Sequence, residues 1–201
     1  MALDKDPVNL IITGVGGQGN VLASQIVASA GIKEGLFVTV GETYGASQRG
    51  GSVMSHVRFS AKTQCGPLIS EGQADIVVGM EPVETLRVMA EFGNPQTKVI
   101  VRPRPIYPPW VLAGQATYPP IEEILDKLSD LAEKVDVVRT GDDGGKPAPA
   151  NILMMGALAA SGLLPISIES YKEAMREIMA PKDLETNLEA FGKGAQAMAR
   201  A

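Results

Sequence analysis

The sequence predicts an α/β fold, a three-layer α/β/α sandwich around a doubly wound, mostly parallel sheet. Three observations predict it. A short apolar run, Leu10-Ile11-Ile12, opens into a glycine-rich turn and then a helix-like segment, the start of a β-α-β unit. Short apolar runs go on alternating with segments of helical period, which argues for parallel strands with helices on both faces. Finally, 201 residues with 45% hydrophobic and 20% charged content suit one globular domain, residues 1–201, with a core of its own.

The elements follow in order. Residues 10–13 read as the first strand. Residues 21–30 set Leu22, Ile26 and Ala30 on one helical face. After the turn at Gly35, residues 37–40 read as a second strand, and residues 53–59 alternate like a third. Asp75 precedes a fully apolar strand, Ile76–Gly79; residues 83–91 are helical and Lys98–Val101 is another buried strand. Residues 102–120 hold six prolines in nineteen residues. That density forbids regular helix or central strand, so a long ordered loop is expected, with room for an edge hairpin. Residues 121–135 read as an amphipathic helix with Ile121, Ile124, Leu125, Leu128 and Leu131 on one face. A last strand at 136–139 and a flexible Gly/Pro-rich loop at 142–149 come next. Helices at 151–161, 168–179 and 183–198 close the chain, with no internal repeat.

Charge and cysteine content exclude whole classes. A net charge of −5 and a pI near 5.0 argue against nucleic acid as a partner. One cysteine, Cys65, and one histidine, His56, exclude a disulfide framework and any zinc or iron–sulfur site built from this chain alone. A redox metal is therefore expected on another polypeptide. The N-terminus has no apolar export core, and the longest apolar stretch, 152–164, is too short to span a bilayer. A cytoplasmic location away from membranes is expected.

The first candidate site is Gly14-Val15-Gly16-Gly17-Gln18-Gly19, a Rossmann-like start in which backbone amides and a helix N-terminus can meet a phosphate. Gly14 is expected to allow the tight turn, Gly16 to admit a phosphate, and Gly19 to permit close helix–strand contact. A tight strand-to-helix turn without a ligand is the alternative. A nicotinamide site would also need an acid after the second strand to grip the ribose, and Glu42 is the one candidate.

A second loop, Thr43-Tyr44-Gly45-Ala46-Ser47-Gln48-Arg49-Gly50-Gly51-Ser52, gathers small and polar residues around one arginine. Arg49 suits bidentate contact with a phosphate or carboxylate. A loop after the second strand would lie beside the first glycine loop at the carboxyl edge of the sheet. A solvated loop with a salt bridge is the alternative.

The remaining candidates are weaker. His56 reads as a structural residue on a strand. Cys65 has no adjacent base. Glu81-Pro82 either lines the cleft or starts a helix, and Asn151 either caps a helix or faces a ligand. No nucleophile, base and orienting group assemble from this chain. It reads as a binding partner in catalysis more than as a self-sufficient enzyme.

These motifs in series resemble the gamma-type subunits of 2-oxoacid:ferredoxin oxidoreductases, most closely the beta subunits of the indolepyruvate branch. The glycine loop, Tyr44-Gly45, Arg49-Gly50-Gly51 and Val57-Arg58 carry the resemblance, with residues 75–82, Asn151, Gly156-Ala157, Asn187, Ala190-Phe191 and Gly194. Such complexes convert a 2-oxoacid and coenzyme A to an acyl-CoA, CO2 and reduced ferredoxin. The resemblance implies that this chain binds coenzyme A. It implies a partner alpha-type subunit holding thiamine diphosphate and iron–sulfur clusters, and ferredoxin as electron acceptor. Gly14, Gly16, Gly17, Gln18 and Gly19, with Tyr44, Gly45, Gly50 and Gly51, would form the coenzyme site. Arg49 would face the thiamine or the substrate. Two other readings stand beside this one: a non-catalytic nucleotide-binding or assembly protein, and a free-standing NAD(P)-dependent dehydrogenase.

Overall fold

The computed structural model describes residues 3, 5–44, 51–139 and 148–199, with the side chain of Tyr44 excepted. The first strand, β1 (Val8–Val15), sits inside a six-stranded sheet. Helix α1 (Asn20–Lys33) leads to β2 (Phe37–Tyr44), which returns as β3 (Ser52–Ser60). Then come β4 (Ile76–Gly79), α2 (Pro82–Phe92), β5 (Lys98–Val101), the short α3 (Pro109–Leu112), α4 (Ile121–Leu131) and β6 (Lys134–Val137). Helices α5 (Ala150–Ser161), α6 (Ile168–Ile178) and α7 (Pro181–Met198) finish the chain.

The strand order is β2-β3-β1-β4-β5-β6. Strands β1, β4, β5 and β6 are mutually parallel, whereas β3 runs antiparallel to both β1 and β2. The sheet is thus mostly parallel, with one reversed strand inserted between β1 and β2.

Side-chain alternation divides the core in two. Leu10 and Ile12 of β1, Ile76 and Val78 of β4, and Ile100 of β5 point to the face covered by α1, α5, α6 and α7. Ile11, Val77, Val99 and Val101 point to the face covered by α2 and α4. Both faces are covered, so β1 and β4 are buried along their whole length. That is why these strands read as unbroken apolar runs. Helix α1 lies between the sheet and α5 and α6, burying Ala23, Ile26, Val27 and Ala30; a helix apolar nearly all round belongs in such a place.

Helices α5 and α7 touch backbone to backbone. A Cβ on Gly156 would lie 2.8 Å from the Phe191 carbonyl carbon, and one on Gly194 would lie 2.7 Å from that of Leu153. The C-terminal glycines of the resemblance are therefore packing residues.

Some boundaries differ from expectation. Helix α4 ends at Leu131, and the last strand is Lys134–Val137, not 136–139. No hairpin forms among the described residues of 102–120; the segment carries one helical turn, α3. Strands β1 to β3 are longer than their apolar cores, because ladder pairing continues through Gly14-Val15 and Gly41-Tyr44.

Candidate functional site

Strands β1, β4, β5 and β6 all end at one edge of the sheet. Chain connections leave β1 toward β2 on one side and β4 toward β5 on the other, so the order reverses between β1 and β4. In open α/β sheets that switch point is where ligands bind. The glycine loop follows β1 here, and Met80-Glu81 follows β4.

The loop is built by its own side chains. Gln18 Oε1 accepts from Val15 N at 2.7 Å, and Gln18 Nε2 donates to Met80 O at 3.2 Å, so Gln18 ties the loop across the switch point. Gly14 lies in β1, paired with Val53, and not in the turn. Its missing side chain leaves space for Gln18, whose Oε1 would be 2.5 Å from a Cβ there. The turn itself is made by Gly17 and Gly19, with φ of 105° and 85°, values that glycine adopts without strain. Gly19 crowds α5 as much as α1: a Cβ on it would stand 2.9 Å from Asn151 Cγ, and Asn151 Nδ2 donates to Gly19 O at 3.2 Å. Asn151 is the second residue of α5 and thus not its N-cap, which is Pro149.

Helix α1 starts unusually bare. Its N-cap is Gly19, no side chain caps it, and its first turn has no acidic residue. Gly16 N donates to Gly51 O at 2.8 Å and Gln18 N to Val15 O at 3.1 Å. The amides of Gly17, Gly19, Asn20 and Val21 have no partner among the described residues. Among the described residues, a Cβ on Gly17 would meet nothing within 4 Å. Unpaired amides and the positive end of a helix dipole together attract an anion.

The second loop starts and ends beside the first. Tyr44 pairs with Val53, Val15 pairs with Ser52, and Gly51 O holds Gly16 N. Its neighbourhood arises from the reversed strand β3, not from a parallel crossover. Gly45, Arg49 and Gly50 lie outside the described residues, as does most of the 142–149 loop.

Glu42 does not reach this edge. It sits opposite Ser55 within the ladder, and its two carboxylate oxygens accept from Ser24 Oγ and Ser55 Oγ at 2.6 Å each. Those bonds occupy the group that a ribose would need. His56 is buried in β3, its Nδ1 accepting from Ile69 N at 3.3 Å and its ring edge-on to Phe92. Burial pushes its pKa down, against a smaller opposing effect of Glu42. Asp75 binds Lys5 and Asn9 N at the opposite edge, and Arg58 binds Asn9 and Gly66 O; both are structural. Cys65 Sγ donates a long hydrogen bond to Thr63 O, at 3.9 Å. No group of three or more His, Cys, Asp or Glu suited to a metal occurs among the described residues, nor any helix long and apolar enough to cross a membrane.

The sequence offers Glu81 as a cleft residue or a helix start, but not the wall that Tyr118 and the proline-rich segment build beside it. Glu81 is 1% exposed and caps α2, its Oε2 accepting from Glu84 N at 2.9 Å. Its Oε1 accepts from Tyr118 OH at 2.5 Å and Ile106 N at 3.4 Å. Burial, then the bond to Glu81, raises the Tyr118 pKa, so the phenol keeps its proton. The proline-rich segment is thereby latched over the carboxyl ends of β1 and β4. It encloses a cavity of about 310 Å³ that reaches from Val15 and Glu81 to Tyr107, Trp110 and Tyr118. The signal in the sequence was Glu81-Pro82 ahead of a helical run; its partner Tyr118 is 37 residues away.

Comparison with known proteins gives the family and the fold. Residues 9–197 match the pyruvate ferredoxin/flavodoxin oxidoreductase family. The chain is 40% identical over 190 residues to indolepyruvate oxidoreductase subunit IorB of Archaeoglobus fulgidus, covering 93% of each. It is 30% identical over 167 residues to the gamma subunit of NADH-dependent phenylglyoxylate dehydrogenase of Aromatoleum evansii, covering 82% of this chain and 79% of that one. The fold matches the gamma subunit of keto/oxoacid ferredoxin oxidoreductase from Geobacter sulfurreducens (TM-score 0.70, 23% identity, 98% and 99% coverage). It also matches 2-oxoglutarate:ferredoxin oxidoreductase of Magnetococcus marinus, solved with 2-oxoglutarate, coenzyme A and succinyl-CoA bound (TM-score 0.66, 22% identity). That match covers 98% of this chain and 32% of the other. By sequence and fold together, this chain belongs to the pyruvate ferredoxin/flavodoxin oxidoreductase family.

Proposed function

We propose that this chain is the coenzyme-A-binding subunit of a 2-oxoacid:ferredoxin oxidoreductase that acts on indolepyruvate or a related arylpyruvate. It works docked on an alpha-type partner that carries thiamine diphosphate and the iron–sulfur clusters, with ferredoxin as electron acceptor, in the cytoplasm, and is inactive alone. The observation that carries the coenzyme assignment is the bare N-terminus of α1 behind a glycine turn. Relatives named as indolepyruvate oxidoreductase subunits support the substrate class, and a structural neighbour solved with coenzyme A supports the ligand.

The chain's own part is binding and orientation. The amides of Gly17, Gly19 and the first turn of α1 donate to the phosphate oxygens. The helix dipole adds about 0.3–1 kcal/mol for a negative group at that end. Gln18 holds the turn in shape and does not itself contact the phosphate through Oε1, which Val15 N occupies. Arg49, from the adjoining loop, supplies a cation toward the substrate or thiamine side. Coenzyme A contributes the thiol that accepts the acyl group. The lone cysteine is consistent with clusters on the partner.

The test is assembly. Co-expressed with its partner, the chain is expected to co-purify and to be needed for 2-oxoacid-dependent, ferredoxin-reducing acyl-CoA formation. A chain that runs alone and adds nothing to the partner's rate overturns the proposal. Titrating coenzyme A and NAD side by side separates it from the dehydrogenase reading. Arg49→Ala is expected to cut coupled turnover about tenfold or more while leaving circular dichroism unchanged; unaltered kinetics remove Arg49 from the site.

A further inference from the structure

One stretch of the sheet is covered by irregular chain. On the face that holds Ile11, α2 packs on β1 and β4, and α4 packs on β6. Beside them the β2–β3 ribbon carries residues 66–69, a strap seated on three positions of the ladder. Gly41, opposite His56, makes the room: a Cβ there would stand 2.6 Å from Pro67 O. Arg58, opposite Thr39, donates from Nη1 to Gly66 O at 3.0 Å and to Leu68 O at 3.4 Å. His56 takes the end of the strap, its Nδ1 accepting from Ile69 N at 3.3 Å, and Ile69 is itself buried.

That last bond depends on the protonation of one ring nitrogen. A neutral imidazole accepts at Nδ1 only when its proton is on Nε2. A second proton turns Nδ1 into a donor that faces the Ile69 N–H. The bond is then lost, and a charged ring is left where water is excluded. Glu42 acts on His56 from β2, through the sheet, and favours the cation. Arg58 stands two residues along β3 on the same face, while β1, α2 and the strap present Ile11, Phe92 and Ile69, which bring no counter-charge. Burial outweighs Glu42 and holds the ring below its ordinary proton affinity.

We propose that residues 66–69 form an acid-released strap: neutral His56 holds it on the β2–β3 ribbon, and protonated His56 lets it lift. A local opening of this kind breaks only the contacts of the strap, while the ladders and helices stay in place. The sign follows from linkage. Lifting the strap returns His56 to water, where it binds a proton more readily, so closure is fully favoured above pH 6.5 and less so as pH falls toward the closed-state value. The strap crosses the ribbon whose ends, Tyr44 and Ser52, flank the second loop, so its opening loosens the support of that loop. Nothing in this device depends on which ligand the glycine turn takes.

The test is amide hydrogen exchange on the full chain, read residue by residue by NMR at pH 7.5 and pH 5.0 and corrected for the intrinsic pH dependence of exchange. Protection of the Ile69 amide is expected to fall about fivefold or more at pH 5.0. At both pH values it is expected to stay at least about tenfold below that of Ile12 and Val77 in the central strands, the mark of a strap that opens without the core. His56→Gln, whose carbonyl accepts without titrating, is expected to keep the strap closed and to reduce the pH effect to under about twofold. Gly41→Ala, which drives a Cβ into the Pro67 backbone, is expected to lower Ile69 protection at both pH values and leave that of Ile12 intact. Ile69 protection that matches the core, that ignores pH, that keeps its pH dependence in His56→Gln, or that is untouched by Gly41→Ala overturns the proposal.

Discussion

Gly19→Ala tests the geometry on which the site depends. Gly19 sits at φ 85°, ψ 33° at the head of α1. An alanine in that left-handed conformation costs about 1–2 kcal/mol. A second cost is steric: the new Cβ would stand 2.9 Å from Asn151 Cγ, so the amide must move and its bond to Gly19 O is lost. A hydrogen bond of that kind contributes about 1 kcal/mol. Together the loss is about 2–3 kcal/mol. At about 2–4 °C per kcal/mol for a chain of this size, Tm falls by about 4–12 °C. The assay is thermal and urea unfolding followed by circular dichroism, run in parallel on Gly17→Ala, Asn151→Ala and the Gly19→Ala/Asn151→Ala pair. Gly17 also has positive φ, but a Cβ there meets nothing within 4 Å among the described residues, so it reports backbone strain. Removing the Asn151 side chain is expected to abolish the steric part, giving a coupling of about 1 kcal/mol in the double-mutant cycle. Strict additivity of Gly19→Ala and Asn151→Ala would refute the claim that the α5 asparagine is what demands glycine at the head of α1.

Three other predictions follow from the packing. His56 is buried with its pKa pushed below the ordinary 6.5. The unfolded chain therefore takes up a proton first, and stability is fully present above pH 6.5 and falls as pH drops toward the folded value, by up to about 1.4 kcal/mol per pH unit. His56→Gln is expected to flatten that slope between pH 6.5 and 5; an unchanged slope means another group titrates. Tyr171 is fully buried and its hydroxyl has no partner among the described residues, so Tyr171→Phe is expected to stabilise by about 1 kcal/mol, and a Tm that drops would show that the hydroxyl is satisfied. Gly156→Ala or Gly194→Ala forces α5 and α7 apart, because the clash is with backbone carbonyls that cannot rotate away. Each is expected to cost about 3 kcal/mol or prevent folding, and expression with wild-type Tm would contradict the backbone contact.

Much of the fold was legible because strands buried on both faces must be apolar throughout, as Ile76–Gly79 and Lys98–Val101 are. Boundaries set by long-range pairing were not. The ladder from Gly14 to Val15 is held by Val53 and Ser52, and no local pattern announces it. In the candidate site, the glycine turn ahead of α1 was legible from its glycines, but their roles were redistributed. Gly14 makes space for Gln18, Gly17 and Gly19 make the turn, and Gln18 is scaffold. Glu42 looked free as a ribose acid because the hydroxyls that engage it lie 18 and 13 residues away.

The sequence by itself determined the α/β class, the glycine turn ahead of a helix, and the inability of one cysteine to hold a cluster. These follow from local spacing and composition, which need no partner. Tertiary structure alone decided that a reversed strand sets the two loops side by side. It also decided that Tyr118 latches the proline-rich segment to Glu81 over a cavity at the same edge. Those features depend on contacts between distant residues at one sheet edge, and only the folded chain brings them together.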